Sequence, residues 1–150
     1  MNNIFKILSL LGCTLLVACA IQKNGSPTGT LQGHIYNLSG NQMPGPGRPK
    51  SRGRGVVKDI YVYQATTTTQ ATGNMPLFTK ISSRLAAHTR SDSTGRYQVK
   101  LPAGKYSVFI KETNGYFAAE ADGEGHLNPV IITNGQTTTR DVTITLNAVF

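Results

Sequence analysis

The sequence predicts an all-β fold, a single antiparallel β-sandwich, and three observations predict it. From Thr89 to Glu112 the chain reads TRSDSTGRYQVKLPAGKYSVFIKE. Within it Tyr97, Val99 and Leu101 alternate with Arg96, Gln98 and Lys100, the period-2 pattern of a half-buried strand. Second, two Asn-Gly pairs, Asn114-Gly115 and Asn134-Gly135, stand between short alternating runs, where such pairs make tight turns. Third, no segment beyond residue 18 carries a helical apolar period for more than about two turns.

The Thr89–Glu112 stretch reads as one β-hairpin with its lead-in. Ser91 to Gly95 is a polar turn. Pro102, Ala103 and Gly104 supply turn chemistry, since Pro fixes φ and Gly permits positive φ. On the return strand Tyr106, Val108 and Ile110 share one face. Lys105, Ser107, Phe109 and Lys111 share the other, with Phe109 its apolar exception.

This order of a Gly-containing polar turn, an alternating strand, Leu101-Pro102-Ala103-Gly104-Lys105-Tyr106 and a second alternating strand resembles the carboxypeptidase regulatory-like domains of bacterial surface proteins. Those are similar to transthyretin and Cna-B modules. The resemblance is tight over Thr89 to Lys111 and looser over Thr30 to Leu146. It implies an Ig-like or prealbumin-like sandwich of about seven strands without catalytic residues. Cna-B modules often carry a Lys–Asn isopeptide bond from a lysine in the first strand. That strand is TLQGHIYNL here and has no lysine, so none is expected.

In chain order, residues 1–18 read as a lipoprotein signal peptide. Lys6 gives a positive flank, and Ile7 to Ala18 is a mostly apolar run, too short for a stable transmembrane span. It ends in Leu16-Val17-Ala18-Cys19, which resembles the bacterial lipobox. That resemblance implies cleavage before Cys19, acylation of its thiol, and stable membrane anchoring by two or three acyl chains such as palmitate. Ala20 in place of Asp resembles the sorting pattern of outer-membrane lipoproteins in enteric bacteria. The expected location is therefore the cell envelope, lipid-anchored to the outer membrane. With Cys13 removed and Cys19 acylated, no thiol remains for a disulfide, a metal or nucleophilic catalysis.

Residues 19–29 read as a lipidated tether, rich in Gly, Ser, Pro and Thr, and residues 30–150 as the sandwich domain. Thr30 to Leu38 is the first strand, with Leu31 and Ile35 on one face and Gly33 marking a close approach or a bulge. Ser39 to Gly55 is a long loop with Gly or Pro at eight of seventeen positions. Val56 to Ala65 is a strand with apolar residues on both faces, as expected of a central position. Thr66 to Pro76 reads as loop. Leu77 to Ser82 and Leu85 to Thr89 are strands, with Leu85 and Ala87 inward. Tyr116 to Glu120 is a short edge segment, Ala121 to Asn128 a turn-rich loop, and Val130 to Thr133 a strand. Asn134-Gly135 turns the chain into a final strand, Thr137 to Asn147, with Val142, Ile144 and Leu146 inward.

The chain carries 15 Lys and Arg against 7 Asp and Glu. A basic exported protein meets anionic glycans, lipid phosphates or nucleic acid. Arg48, Lys50, Arg52, Arg54 and Lys58 cluster in the long loop and its exit, with no interleaved acid. Alternate cations on a Gly/Pro scaffold suit phosphate or carboxylate. The loop has no aromatic residues to stack bases, which speaks against single-stranded nucleic acid, and no nucleic-acid partner is expected.

Glu120, Asp122 and Glu124, with His126 and Asn128, form a candidate calcium loop, though the full calcium-loop pattern is absent and a solvated turn explains the same residues. His34, His88 and His126 lack local zinc spacing, and no serine sits in a Gly-x-Ser-x-Gly elbow. No cofactor is implied and no enzyme is expected. The expectation is a non-catalytic, surface-anchored structural or interaction module whose partners are the membrane, through the anchor, and an envelope protein. Its alternative is a lipoprotein that captures glycan or another anionic surface polymer.

Overall fold

The computed structural model describes residues 26–43, 45–47 and 51–150. The signal segment, Cys19 and most of the tether lie outside the described residues. Among the described residues the one helical element is a 3-10 turn, Thr68–Gln70, and no helix is long and apolar enough to cross a membrane.

The described residues form twelve strands: β1 (Thr28–Asn41), β2 (Arg54–Gly55), β3 (Asp59–Gln64), β4 (Ala71–Asn74), β5 (Leu77–Ile81), β6 (Leu85–Arg90), β7 (Arg96–Pro102), β8 (Gly104–Glu112), β9 (Gly115–Phe117), β10 (Pro129–Ile132), β11 (Thr137–Thr139) and β12 (Val142–Val149). Five are four residues or shorter, and the seven longer ones carry the sandwich. The first sheet gathers β2, β7, β11 and β12 around β1. The second runs β4-β5-β9-β8-β3-β6, with β10 beside the start of β8.

The main core fills the space between the sheets. Leu31, Ile35, Tyr97, Leu101, Val142 and Ile144 face it from the first sheet, and Ile60, Val62, Val108, Ile110 and Phe117 from the second. β8 is buried on both faces. Its Tyr106, Val108 and Ile110 enter the main core, while Phe109 joins Tyr63, Phe78, Ala118 and Leu127 in a second, smaller cluster. Ser107 is fully buried on that same face. Its hydroxyl accepts a hydrogen bond from the Thr66 amide at 3.0 Å, which is how a polar residue is tolerated there.

The expected hairpin over Arg96 to Glu112 is instead an arch. β7 pairs antiparallel with β1, and β8 pairs with β3, β9 and β10 in the other sheet. Only Ala103 separates the two strands, and the Tyr106 hydroxyl donates to the Pro102 carbonyl across the bend at 2.9 Å. Alternation reports which face a residue takes, not which strand it pairs with. Two strands that face each other across a core satisfy the pattern as well as two neighbours do. The same correction applies at Asn134-Gly135. The turn forms, with the Gln136 amide donating to the Thr133 carbonyl at 3.1 Å and Gly135 at φ 71°, but it joins β10 of one sheet to β11 of the other.

Other expectations change in detail. β1 runs parallel to β11 and β12, so the first sheet is mixed rather than purely antiparallel. The Thr66–Pro76 segment contains β4 and the 3-10 turn. β9 lies between β5 and β8 rather than at an edge. Leu85 is exposed on the edge strand β6. Leu146 is also exposed, because the β1–β12 register shifts after Ile144 and breaks the alternation. The central placing of β3, between β6 and β8, agrees with its two apolar faces.

Candidate functional site

The long loop returns to the sheet sooner than its glycines and prolines suggest. Arg54 pairs with Asn37 and Gly55 with Tyr36 on β1. Glycine makes this approach possible: a Cβ at Gly55 would lie 1.9 Å from the Thr94 carbonyl oxygen, and one at Gly53, which has positive φ, 2.5 Å from that of Asn37. Arg52 and Arg54 are exposed. Arg48 and Lys50 lie outside the described residues. Lys58 stands apart from both arginines, because its ammonium lies 2.8 Å from Glu112 Oε2 in hydrogen-bond geometry and 2.7 Å from Oε1. The basic segment is thus divided: two exposed arginines, and a lysine bound into an ion pair at the end of the sandwich.

The acidic loop forms a compact cluster with a lysine among its ligand atoms. Asp122, Glu124 and His126 each bring one ligand atom within 4.8 Å of the others. Lys105 on β8 places its ammonium 2.9 Å from Asp122 Oδ2, 2.9 Å from Glu124 Oε2 and 3.0 Å from His126 Nδ1. Its hydrogen bonds hold the Asp122 and Glu124 carboxyls below the ordinary carboxylate range, and Glu124 and then Asp122 raise the lysine in turn. The loop backbone adds to this, since Asp122 Oδ1 accepts from the amides of Glu124 and His126 at 3.0 and 2.8 Å. Glu120 is not part of the cluster; its Oε2 accepts from the Arg140 guanidinium at 2.7 Å. Asn128, buried, donates to the Val108 carbonyl and accepts from the Glu120 amide.

Chemically, an ammonium of the chain itself stands where a bound cation would have to sit. A metal would have to displace Lys105 while keeping both carboxylates. Sequence reasoning missed Lys105 because its approach depends on the pairing of β8 with β10, where Lys105 stands opposite Ile131. No local spacing carries that information.

The three histidines occupy three separate places. His34 lies 3.7 Å from Asp141 on the first sheet, and His88 lies 3.5 Å from Asp59 and packs against Tyr61 with ring centroids 4.5 Å apart. His126 belongs to the Lys105 cluster.

No protein-family model matches the chain, and no curated protein does. Among solved structures, it is similar to GBS52, a minor pilin of the Gram-positive pathogen Streptococcus agalactiae, with 18% identity and a TM-score of 0.38. The alignment covers 82% of this chain and 45% of that one, so the chain spans under half the length of this relative.

Proposed function

We propose that this chain is a non-catalytic interaction module of the cell envelope, a β-sandwich held at the outer membrane by acyl chains on Cys19. The observation that carries the non-catalytic reading is the closure of the Asp122–Glu124–His126 cluster by Lys105. Its carboxylates and imidazole are committed to one another and to an ammonium, which leaves them holding a loop in place. The anchor rests on the Leu16-Val17-Ala18-Cys19 motif alone.

The test is metabolic labelling with radioactive palmitate, followed by membrane fractionation, of the full chain and of Cys19→Ser. Label in the parent and none in the variant is expected, with the variant accumulating as an unprocessed precursor. Label in Cys19→Ser removes the anchor. Turnover in a broad hydrolase screen, lost on one substitution in the cluster, removes the non-catalytic reading.

A second reading is capture of an anionic surface polymer by the basic loop, and exposure of Arg52 and Arg54 favours it. Replacing Arg48, Arg52 and Arg54 with Ser would then weaken binding. The interaction would also fade as salt rises, since exposed charges are screened beyond about 10 Å at 0.1 M. Binding that survives the triple replacement at every salt concentration moves the site off the loop.

A further inference from the structure

We propose that a groove on the first sheet, away from the basic loop, binds an acidic saccharide, a chain of sugar rings bearing carboxylates. The groove is a cavity of about 560 Å³ between β1, β7 and the end of β6. Two cross-strand pairs lie along it: Gln32 opposite Gln98, and His34 opposite Arg96. Arg90, from β6, also lines it.

Three properties point to the ligand. First, among the described residues the amides of Gln32 and Gln98 and the guanidinium of Arg96 have no hydrogen-bond partner. An amide offers donor and acceptor side by side, and a sugar hydroxyl needs both. Second, two guanidiniums line it, Arg90 and Arg96, the latter close enough to Asp92 to help lower its carboxyl. Asp92, the acid of the groove, turns its Oδ1 into its own loop, accepting from Thr94 N at 2.8 Å, Thr94 Oγ1 at 2.7 Å and Arg96 N at 3.0 Å. Arg90 pairs with Asp59 at 3.6 Å and His34 with Asp141 at 3.7 Å, exposed pairs with which a ligand carboxylate would compete. Guanidinium forks grip carboxylates in two-point geometry. Third, His34 lines the groove, its ring stacked on Tyr36 with centroids 5.7 Å apart and planes at 12°, and this imidazole offers a flat face against which a sugar ring can lie. A polyphosphate needs the cations alone. The paired amides and the imidazole face favour a hydroxyl-bearing, carboxylate-bearing chain.

The proposal rests on the reading of the chain as an interaction module, but not on its anchor. Its test is therefore carried out in solution, by calorimetric titration of the full chain with polygalacturonate oligosaccharides. Neutral dextran and dextran sulfate serve as comparison ligands. Polygalacturonate should bind and dextran should not. Arg96→Ala should weaken binding by about tenfold or more, as loss of a charged hydrogen bond does. The double change Gln32→Ala with Gln98→Ala should weaken it comparably while leaving the salt dependence unchanged. Arg52→Ser with Arg54→Ser should have little effect. Melting temperatures of all variants should stay at the parent value, since these side chains are on the surface. No binding of polygalacturonate overturns the proposal. So does a glutamine double variant that binds like the parent while dextran sulfate binds equally well, because the site is then only a patch of positive charge. Loss of binding in the Arg52/Arg54 variant moves the site to the loop and overturns it too.

Discussion

The hydroxyl of Tyr97 donates a hydrogen bond to the carbonyl of Arg140 at 2.6 Å, reaching across β1 directly over Gly33. The contact ties β7 to the break between β11 and β12, the two strands on the far side of β1. Arg140 also donates its amide to the Gln32 carbonyl at 2.8 Å. Glycine at position 33 is a matter of space. A Cβ there would lie 1.9 Å from the Arg140 carbonyl oxygen and 3.1 Å from the Tyr97 ring. Backbone on one side and a buried ring on the other leave it nowhere to go. Gly33→Ala should therefore destabilise the domain by about 3 kcal/mol, the upper range for overpacking. Tyr97→Phe, which only removes the donor to Arg140, should cost about 1–2 kcal/mol. Urea unfolding measures both, and a neutral Gly33→Ala would mean that Arg140 does not pack against β1.

Two tyrosines set the alkaline limit. Burial raises the Tyr97 phenol well above its ordinary value. The Tyr63 phenol is raised to about 12, first by burial and then by the neighbouring Tyr116. A raised phenol is held neutral by the fold. Its contribution is present in full below the ordinary value of 10.0 and is lost as pH rises towards the folded value. Stability should be level to pH 10 and fall above it, with an absorbance change of ionised tyrosine that coincides with unfolding. Tyr97→Phe should flatten this decline. Tyrosines that all ionise near pH 10 in a still-folded protein would contradict the burial of Tyr97.

Lys105 should act as the cation of its own loop. Adding Ca²⁺ or Zn²⁺ to the full chain should leave the melting temperature unchanged, whereas Lys105→Met should gain a metal-dependent rise that EDTA reverses. Acid gives a second readout. The depressed carboxyls of Asp122 and Glu124 contribute stability above their ordinary values of 3.8 and 4.5, and lose it as pH falls. The parent should therefore lose stability more steeply below pH 4.5 than Lys105→Met does. A melting temperature of the parent that climbs with Ca²⁺ would show that the ion displaces the lysine.

These residues also show what the sequence made legible. Alternation gave the faces of Tyr97, Leu101, Val108 and Ile110 correctly, because facing a core is a property of a single strand. It did not give their partners, so an arch passed for a hairpin. Phe109 looked like an isolated apolar residue because the cluster that covers it is assembled from Tyr63, Phe78 and Leu127, each distant in sequence. The glycines of the long loop signalled freedom, but Gly53 and Gly55 are there so that Arg54 can approach β1. Charge spacing grouped Lys58 with the arginines, although its partner lies 54 positions further along the chain. The groove of Gln32, Gln98, His34 and Arg96 exists only once β1 and β7 are in register.

Lys58 and the loop arginines should therefore separate cleanly in a stability experiment. The Glu112 side chain, at the end of β8, is only 14% exposed, and Lys58 is its ion-pair partner. Lys58→Ser would leave that charge with little water and no cation, a loss of about 2 kcal/mol. Arg52→Ser with Arg54→Ser removes two exposed charges and should stay within about 0.5 kcal/mol of the parent. Adding Glu112→Gln to Lys58→Ser should restore part of the loss, because the stranded group is then neutral. Urea denaturation of the parent, both single-site variants of the pair, the Lys58/Glu112 double variant and the arginine variant completes the cycle. If Lys58→Ser proves as mild as the arginine changes, the ion pair contributes nothing and Lys58 belongs with the exposed loop cations.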